Sequence, residues 1–86
     1  MRGLTGKVAI ITGGLGDLGY ASAKRLVEEG CKVALLDIQP DTQDLARAIG
    51  AIHCAVDTSN EEQVRAACAT VEKSLGAASI LANAAA

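Results

Sequence analysis

A glycine-rich stretch near the N-terminus constrains the fold of this chain more than any other feature. Residues 12–19 read Thr-Gly-Gly-Leu-Gly-Asp-Leu-Gly, with an apolar run before them and a segment of helical spacing after them. A buried strand, a tight glycine turn and a helix N-terminus form a phosphate site, because the backbone N–H groups and the helix dipole favour an anion. Gly14, Gly16 and Gly19 match the dinucleotide-binding fingerprint, although a purely structural turn can have the same spacing.

Length and composition exclude several classes of protein. The 86 residues allow one domain at most, and half of them are apolar. Tyr20 is the single aromatic residue and the net charge is −2, which argues against a nucleic-acid surface. No apolar stretch approaches the roughly 20 residues of a membrane span, and residues 1–6 lack a secretory core. Three cysteines at unrelated spacings predict buried free thiols, so we expect a cytoplasmic protein: Cys31, Cys54 and Cys68.

Strands and helices alternate along the sequence. Apolar runs predict strands at 7–11 or 12, 32–37 and 52–56, and the start of a fourth at 80–82. Helical spacing predicts helices at 17–29 and 42–49, and a third that begins with a capping box of Ser59 and Glu62. Alternation with short loops is typical of an α/β, Rossmann-type doubly wound parallel sheet, and right-handed crossovers give the strand order 3-2-1-4.

Each predicted helix has an apolar face that should pack on the sheet. In the first helix the face comprises residues at three- and four-residue spacing: Gly16, Gly19, Ala23, Leu26 and Val27. In the second helix the inward residues are Leu45, Ala48 and Ile49. The third helix has the most regular pattern: Val64, Ala67, Cys68, Val71 and Leu75. Gly19 should let the first helix approach the first strand.

An aspartate follows the second predicted strand. Asp37 lies 18 residues after Gly19, close to where the ribose-binding acid of a dinucleotide fold occurs. Its carboxylate would accept hydrogen bonds from the ribose hydroxyls and repel the 2′-phosphate of NADP. Because Ile38 and Gln39 follow, and no cation, this position favours NAD; the alternative is a solvated loop aspartate.

Taken together, these features resemble the beginning of the short-chain dehydrogenase/reductase family. Residues 5–14 resemble the family's opening, and residues 56–59 its acidic turn after strand three. Residues 81–86 resemble its L-V-N-N-A-G segment, although Ala86 stands where the family has glycine. The resemblance covers the whole chain, so residues 1–86 are expected to be the N-terminal part of a single NAD(P)-binding domain.

The resemblance implies an NAD-dependent oxidoreductase that acts on an alcohol or ketone and forms a homodimer or homotetramer. It assigns cofactor contacts by position: Gly13, Gly16 and Leu18 to the phosphates, Asp37 and Ile38 to the adenosine ribose, Asp57 and Thr58 to the adenine, and Asn83 and Ala84 to the ribose on the nicotinamide side. Asp17 stands where the single-domain branch of the family has glycine. We expect its carboxylate to turn toward the helix N–H groups and away from the phosphates.

Three other readings stay open. Residues 12–19 match the T-G-x-x-G-x-x-G pattern of the family's extended branch, which is typical of sugar-nucleotide epimerases and dehydratases. The chain could also be a dinucleotide-binding module without chemistry, or a structural fragment whose glycine turn binds nothing. In the last case a Gly16→Val change would alter stability alone.

One motif imitates the family's catalytic pair. Tyr20 and Lys24 have the Y-x-x-x-K spacing, but they lie in the first predicted helix, which points away from the nicotinamide end. We expect Tyr20 to be a packing residue and His53, alone on its strand, to be structural. The resemblance places the catalytic serine, tyrosine and lysine beyond residue 86.

Overall fold

A parallel sheet of four strands, in the order β3-β2-β1-β4, forms the centre of the computed structural model, which describes residues 4–41 and 43–83. The elements in chain order are β1 (Val8–Thr12), α1 (Asp17–Glu28), β2 (Lys32–Asp37), α2 (Leu45–Ala48), β3 (Ile52–Ala55), α3 (Glu61–Leu75) and β4 (Ala78–Asn83). The predicted doubly wound α/β fold and its strand order are confirmed. Within the described residues, no helix has the length and apolar character needed to cross a membrane.

The core has two layers, one on each face of the sheet. Ala9 and Ile11 of β1 pack with Leu35 beneath α1, whereas Val8 and Ile10 pack with Leu36 beneath α3. Successive residues of β1 and β2 are therefore buried on opposite faces, which explains why neither strand alternates apolar and polar residues. Ala23 from α1 and Val71 from α3 complete the two layers: each is fully buried.

Parallel register aligns the ends of the strands. Thr12 pairs with Leu36 on one side of β1 and with Asn83 on the other. Asp37 pairs with Ala55 of β3. The carboxyl ends of all four strands consequently lie along one edge of the sheet, where ligands of open α/β sheets bind.

α1 and α2, which pack on the same face of the sheet, differ from their predicted bounds and buried faces. Gly16 is exposed, not part of the buried face, because it is the extended residue that precedes α1. The second helix has four residues, not the predicted eight, and buries Ala46 while Ala48 is exposed. Asp44 adopts a left-handed conformation with φ of 54° directly before α2, which prevents an earlier helical start. Thr42, the predicted first residue, lies outside the described residues.

The predicted capping box of α3 is wrong by one residue. Asn60 is the N-cap, and its side-chain oxygen accepts a hydrogen bond from the Gln63 N–H at 3.1 Å. The Ser59 hydroxyl instead donates to the Asp57 carboxylate at 2.6 Å, so it is not available to the helix. The inward face is as predicted, with Ala67 and Val71 buried, and β4 begins two residues earlier than expected.

The three cysteines are free thiols in the structure. Cys31 is buried, as predicted, but Cys54 and Cys68 are half-buried. Loss of solvent around Cys54 raises the pKa of its thiol, and the neighbouring Cys68 acts in the same direction. The protonated, unreactive form of Cys54 is therefore favoured.

Candidate cofactor-binding site

The glycine turn joins β1 to α1 at the edge where the strands end. The Gly13 N–H donates to the Leu36 carbonyl oxygen at 2.7 Å, which ties the turn to β2. Gly13 has a φ of +69°, a conformation that L side chains rarely adopt. Gly16 is the N-cap of α1, and as a glycine it has no side chain with which to cap the helix. The positive end of the helix dipole is thus open to an anion.

The glycines of the turn have different steric roles. A Cβ atom on Gly19 would lie 2.2 Å from the Gly13 carbonyl oxygen, and one on Gly14 would lie 2.7 Å from the Leu35 Cβ atom. Close packing of the turn therefore requires both glycines. Among the described residues, a Cβ atom on Gly16 would meet only the Gly13 oxygen, at 3.4 Å, which is an ordinary contact. The space beside Gly16 is open, so a ligand can approach the backbone there.

Asp37 holds its carboxylate against the glycine turn. One oxygen accepts a hydrogen bond from the Leu15 N–H at 3.0 Å, and the other accepts one from the Gln39 N–H at 3.0 Å. A carboxylate has about four lone-pair sites, so both oxygens can still accept from the hydroxyls of a ribose. Ile38, the next residue, is 66% exposed. The bond to Leu15 spans 22 positions of sequence, and sequence reasoning did not foresee it.

The acidic turn after β3 lies beside Asp37. The Val56 N–H donates to the Asp37 carbonyl oxygen at 3.0 Å, which joins the two strand ends. The Asp57 carboxylate accepts from the hydroxyl and the N–H of Ser59, and these bonds hold the pKa of Asp57 below its ordinary value. Thr58, between them, is half-buried. Asp57 is therefore an anion at neutral pH, positioned at the next strand end along the edge.

On the opposite side of the turn, a side-chain hydrogen bond connects β1 and β4. The Thr12 hydroxyl donates to the Asn83 side-chain oxygen at 2.8 Å. These two residues flank the crevice where the strand order reverses. The sequence assigned Asn83 to this place but gave no role to Thr12; the strand register was the signal that could have paired them. Ala84, also predicted here, lies outside the described residues.

Asp17 does not behave as the sequence suggested. It is the first residue of α1 and is exposed, but its carboxylate accepts no hydrogen bond from any N–H group of the described residues. The expected turn toward the helix N–H groups is thus not observed, because Gly16 occupies the N-cap position from which a side chain reaches those groups. Leu18, the predicted phosphate contact beside it, is 70% exposed.

Tyr20, Lys24 and His53 lie apart from the strand ends. The Tyr20 hydroxyl donates to the Leu45 carbonyl oxygen at 2.9 Å, while Lys24 is exposed. His53 is half-buried on β3, and its Nε2 atom has no hydrogen-bond partner among the described residues. That part of the chain also contains no group of three or more histidine, cysteine or acidic residues able to hold a metal ion.

Comparisons with known sequences identify a family and several relatives of this chain. Residues 7–86 match the family model of the short chain dehydrogenases. The chain is 35% identical over 85 residues to the NAD-dependent glycerol dehydrogenase of Listeria innocua. The matched region covers 95% of this chain and 34% of that protein. It is 47% identical over 66 residues to tropinone reductase-like 2 of Erythroxylum coca, covering 71% of this chain and 23% of that protein.

Solved structures share the fold. The 3-ketoacyl-(acyl-carrier-protein) reductase of Brucella melitensis, complexed with NADH, superposes with a TM-score of 0.85 at 37% identity, over 91% of this chain and 33% of that one. An NAD⁺-bound xylitol dehydrogenase gives 0.84 at 30% identity, over 93% and 33%. The chain spans about a third or less of the length of these relatives. With a family model matched over residues 7–86 and a sheet of the order 3-2-1-4, the chain belongs to the short-chain dehydrogenase family of oxidoreductases.

Proposed function

We propose that the protein carrying this chain is an NAD-dependent oxidoreductase that transfers a hydride between the cofactor and an alcohol or ketone. Residues 1–86 form the N-terminal part of its single nucleotide-binding domain. The observation that carries the proposal is the Asp37 carboxylate, held 3.0 Å from the Leu15 N–H of the glycine turn. One relative is named as NAD-dependent, and two solved neighbours contain NADH or NAD⁺, which supports the same cofactor.

The residues present fit such a cofactor. The uncapped start of α1 and the open space at Gly16 suit a pyrophosphate. The proposed contacts follow the edge of the sheet: Gly13, Gly16 and Leu18 at the phosphates, with Asp17 between them in the cofactor-binding turn, Asp37 and Ile38 at the adenosine ribose, Asp57 and Thr58 at the adenine, and Asn83 and Ala84 at the second ribose.

The charge of Asp37 accounts for the proposed preference for NAD. At about 4 Å, two unit charges repel by about 1 kcal/mol in water and about 4 kcal/mol near a protein surface. A 2′-phosphate next to the half-buried Asp37 would experience a repulsion in this range. Each 1.4 kcal/mol is a factor of ten in affinity. We therefore expect NADH to bind at least about fivefold more tightly than NADPH.

This chain's own part in the reaction is to bind and orient. When bound, the cofactor would donate or accept the hydride. Asp37 would hold its adenosine end, and the Thr12–Asn83 hydrogen bond joins the two strand ends at the other end of the site. We propose, from the family resemblance, that a serine, a tyrosine and a lysine beyond residue 86 act on the substrate. Tyr20 and Lys24 have no such role, since the Tyr20 hydroxyl is directed to α2.

The named relatives are dehydrogenases and reductases, which favours this activity over the extended-branch epimerases and dehydratases. A cytoplasmic location and a homodimer or homotetramer complete the proposal. Fractionation of the source cells and light scattering of the purified protein test these two points.

The cofactor assignment is tested by fluorescence titration of NADH and NADPH into the protein at its natural length. Asp37→Asn keeps an oxygen that can accept from Leu15 but removes the charge, so we expect it to lose most of the preference for NADH. Asp57→Asn is the matched control, because it removes a neighbouring charge that is not next to the 2′-position; the ratio of the two affinities should stay the same.

Four results would count against the proposal. A wild-type protein that prefers NADPH, or an Asp37→Asn variant that keeps the original ratio, contradicts the role of Asp37. Absence of saturable binding by either cofactor contradicts the site as a whole. Tight NADH binding without turnover of any alcohol or ketone would instead identify a binding module without chemistry.

A further inference from the structure

Tyr20 contacts α2, an element with no proposed role in cofactor binding. Its hydroxyl donates from α1 to the carbonyl oxygen of Leu45, the first residue of α2, at 2.9 Å. On the same turn of α2, the N–H groups of Leu45 and Ala46 donate to the Asp41 carboxylate at 2.7 and 2.9 Å. The start of α2 is thus held from two directions: by α1 through Tyr20, and by the preceding loop through Asp41.

The helix depends on these bonds because it buries little surface of its own. It has four residues, far fewer than an isolated helix needs, and Ala46 is its single buried residue. An open cavity of about 410 Å³ lies where α2 faces β3, and its lining includes Asp41, Arg47 and His53. The buried Nε2 atom of His53 donates to and accepts from none of the described residues. Asp44 precedes the helix in the left-handed region, a strained conformation that its surroundings must maintain.

The anchored end of the loop is close in sequence to the proposed ribose site. Asp41 is four residues after Asp37, and the segment between them includes Ile38 and Pro40. The Gln39 N–H donates to the Asp37 carboxylate, and proline fixes its own φ, so the segment has little freedom. A displacement of α2 would therefore pass through Asp41 to the residues proposed to contact adenosine.

We infer that Tyr20 is a positioning residue for the adenosine half of the cofactor site: its hydroxyl fixes α2, and through Asp41 the path of residues 38–41. The inference rests on the proposed function, since it needs a cofactor at Asp37. It gives the Y-x-x-x-K motif a structural use that does not involve Lys24. The bond from Tyr20 acts on binding of adenosine, and the nicotinamide half lies outside its influence.

The test compares three ligands by calorimetric titration of the protein at its natural length. NADH is the whole cofactor, ADP-ribose lacks only the nicotinamide ring, and reduced nicotinamide mononucleotide lacks the adenosine monophosphate half. Tyr20→Phe removes only the hydroxyl. We expect the dissociation constants of NADH and ADP-ribose to rise about three- to tenfold, which is the effect of one lost hydrogen bond. Affinity for the mononucleotide should not change.

Two further variants and a local probe accompany the titrations. Lys24→Met alters an exposed side chain of the same helix and should leave all three affinities unchanged. Asp41→Ala removes the second anchor and should reproduce the ligand pattern of Tyr20→Phe. Amide hydrogen exchange at Leu45 and Ala46 should be faster in Tyr20→Phe, while exchange in the core strand β2 should not.

The outcomes separate this inference from the proposed function. If the wild-type protein binds neither NADH nor ADP-ribose, the proposed function fails. If the wild type binds both and Tyr20→Phe binds ADP-ribose equally well, the inference alone is overturned. Equal weakening of all three ligands would also overturn it, because it would reveal a general loss of structure. The ADP-ribose arm decides where the mononucleotide binds too weakly to measure.

Discussion

Gly19→Ala should destabilise the protein by closing the narrowest contact of the glycine turn. The new Cβ atom would lie 2.2 Å from the Gly13 carbonyl oxygen and 3.0 Å from the Gly14 Cα atom. Relief requires a separation greater by roughly 1 Å, since carbon and oxygen approach to about 3.3 Å in weak C–H···O contacts. The turn cannot yield easily, because the Gly13 N–H is bonded to the Leu36 carbonyl oxygen at 2.7 Å. Such overpacking costs about 3 kcal/mol, and the better helix propensity of alanine returns up to about 1 kcal/mol.

We therefore expect the free energy of unfolding to fall by about 2 kcal/mol in Gly19→Ala, measured by urea denaturation at pH 7. Gly16→Ser is the matched control in the same turn. Its Cβ atom would make an ordinary 3.4 Å contact, and serine is a favourable N-cap, so stability should change by less than about 0.5 kcal/mol. The reasoning is refuted if Gly19→Ala loses less than about 0.5 kcal/mol, or if Gly16→Ser loses as much as Gly19→Ala.

Three other predictions follow from side-chain hydrogen bonds. Bonds from the N–H groups at the start of α2 lower the pKa of Asp41, so its contribution to stability is present above the unfolded-state pKa and disappears as pH falls through the lower folded-state pKa. In thermal melts between pH 6 and pH 2.5, the Asp41→Asn variant should accordingly lose less stability on acidification than the wild type. Equal losses of stability would contradict this role. Thr12→Val removes the 2.8 Å bond to Asn83 and should lower the unfolding free energy by about 0.5–1.5 kcal/mol in urea titrations, whereas Thr12→Ser, which keeps the hydroxyl, should lose less. Asn60→Ala should lower the free energy of unfolding by about 1 kcal/mol, because α3 loses its N-cap, and Ser59→Ala should lower it by less. The reverse order would indicate that Ser59 is the N-cap, as the sequence suggested.

Much of the fold follows from local patterns. The strands β1 and β2 are uninterrupted apolar runs, and α3 repeats apolar residues at helical spacing, so each has one consistent interpretation. The alternation of such elements then determines the strand order through the handedness of the crossovers. These are properties of short windows of sequence, which is why the sheet could be predicted.

The elements that were predicted poorly depend on contacts between distant residues. α2 begins late because Asp44 is in the left-handed conformation, and its first residue, Leu45, is bonded to Asp41 and to Tyr20, which is 25 positions away. Serine and asparagine are both good N-caps, and the competing bond from Ser59 to Asp57 decides between Ser59 and Asn60. Neither set of contacts can be recognised from sequence spacing alone.

In the candidate site, too, features with a local sequence pattern were predicted, and features that depend on the folded geometry were not. The glycine turn and Asp37 were identified from spacing, because a phosphate site and a ribose-binding acid both occur at fixed distances from the first strand. The different roles of Gly16 and Gly19 were not, since a helical projection places residues three apart on one face. Gly16 lies before the helix in an extended conformation, and Gly19 lies within it against the Gly13 carbonyl oxygen.

The central claim is that a dinucleotide approaches the backbone at Gly16, and the affinity of Gly16→Val for NADH tests it most directly. The change meets open space and an extended backbone with φ of −73°, so the variant should stay within about 1 kcal/mol of the wild-type stability. The account predicts that NADH binds at least about tenfold more weakly to this folded variant, because the valine side chain would fill the space of the pyrophosphate. A folded Gly16→Val protein with wild-type NADH affinity would contradict the account.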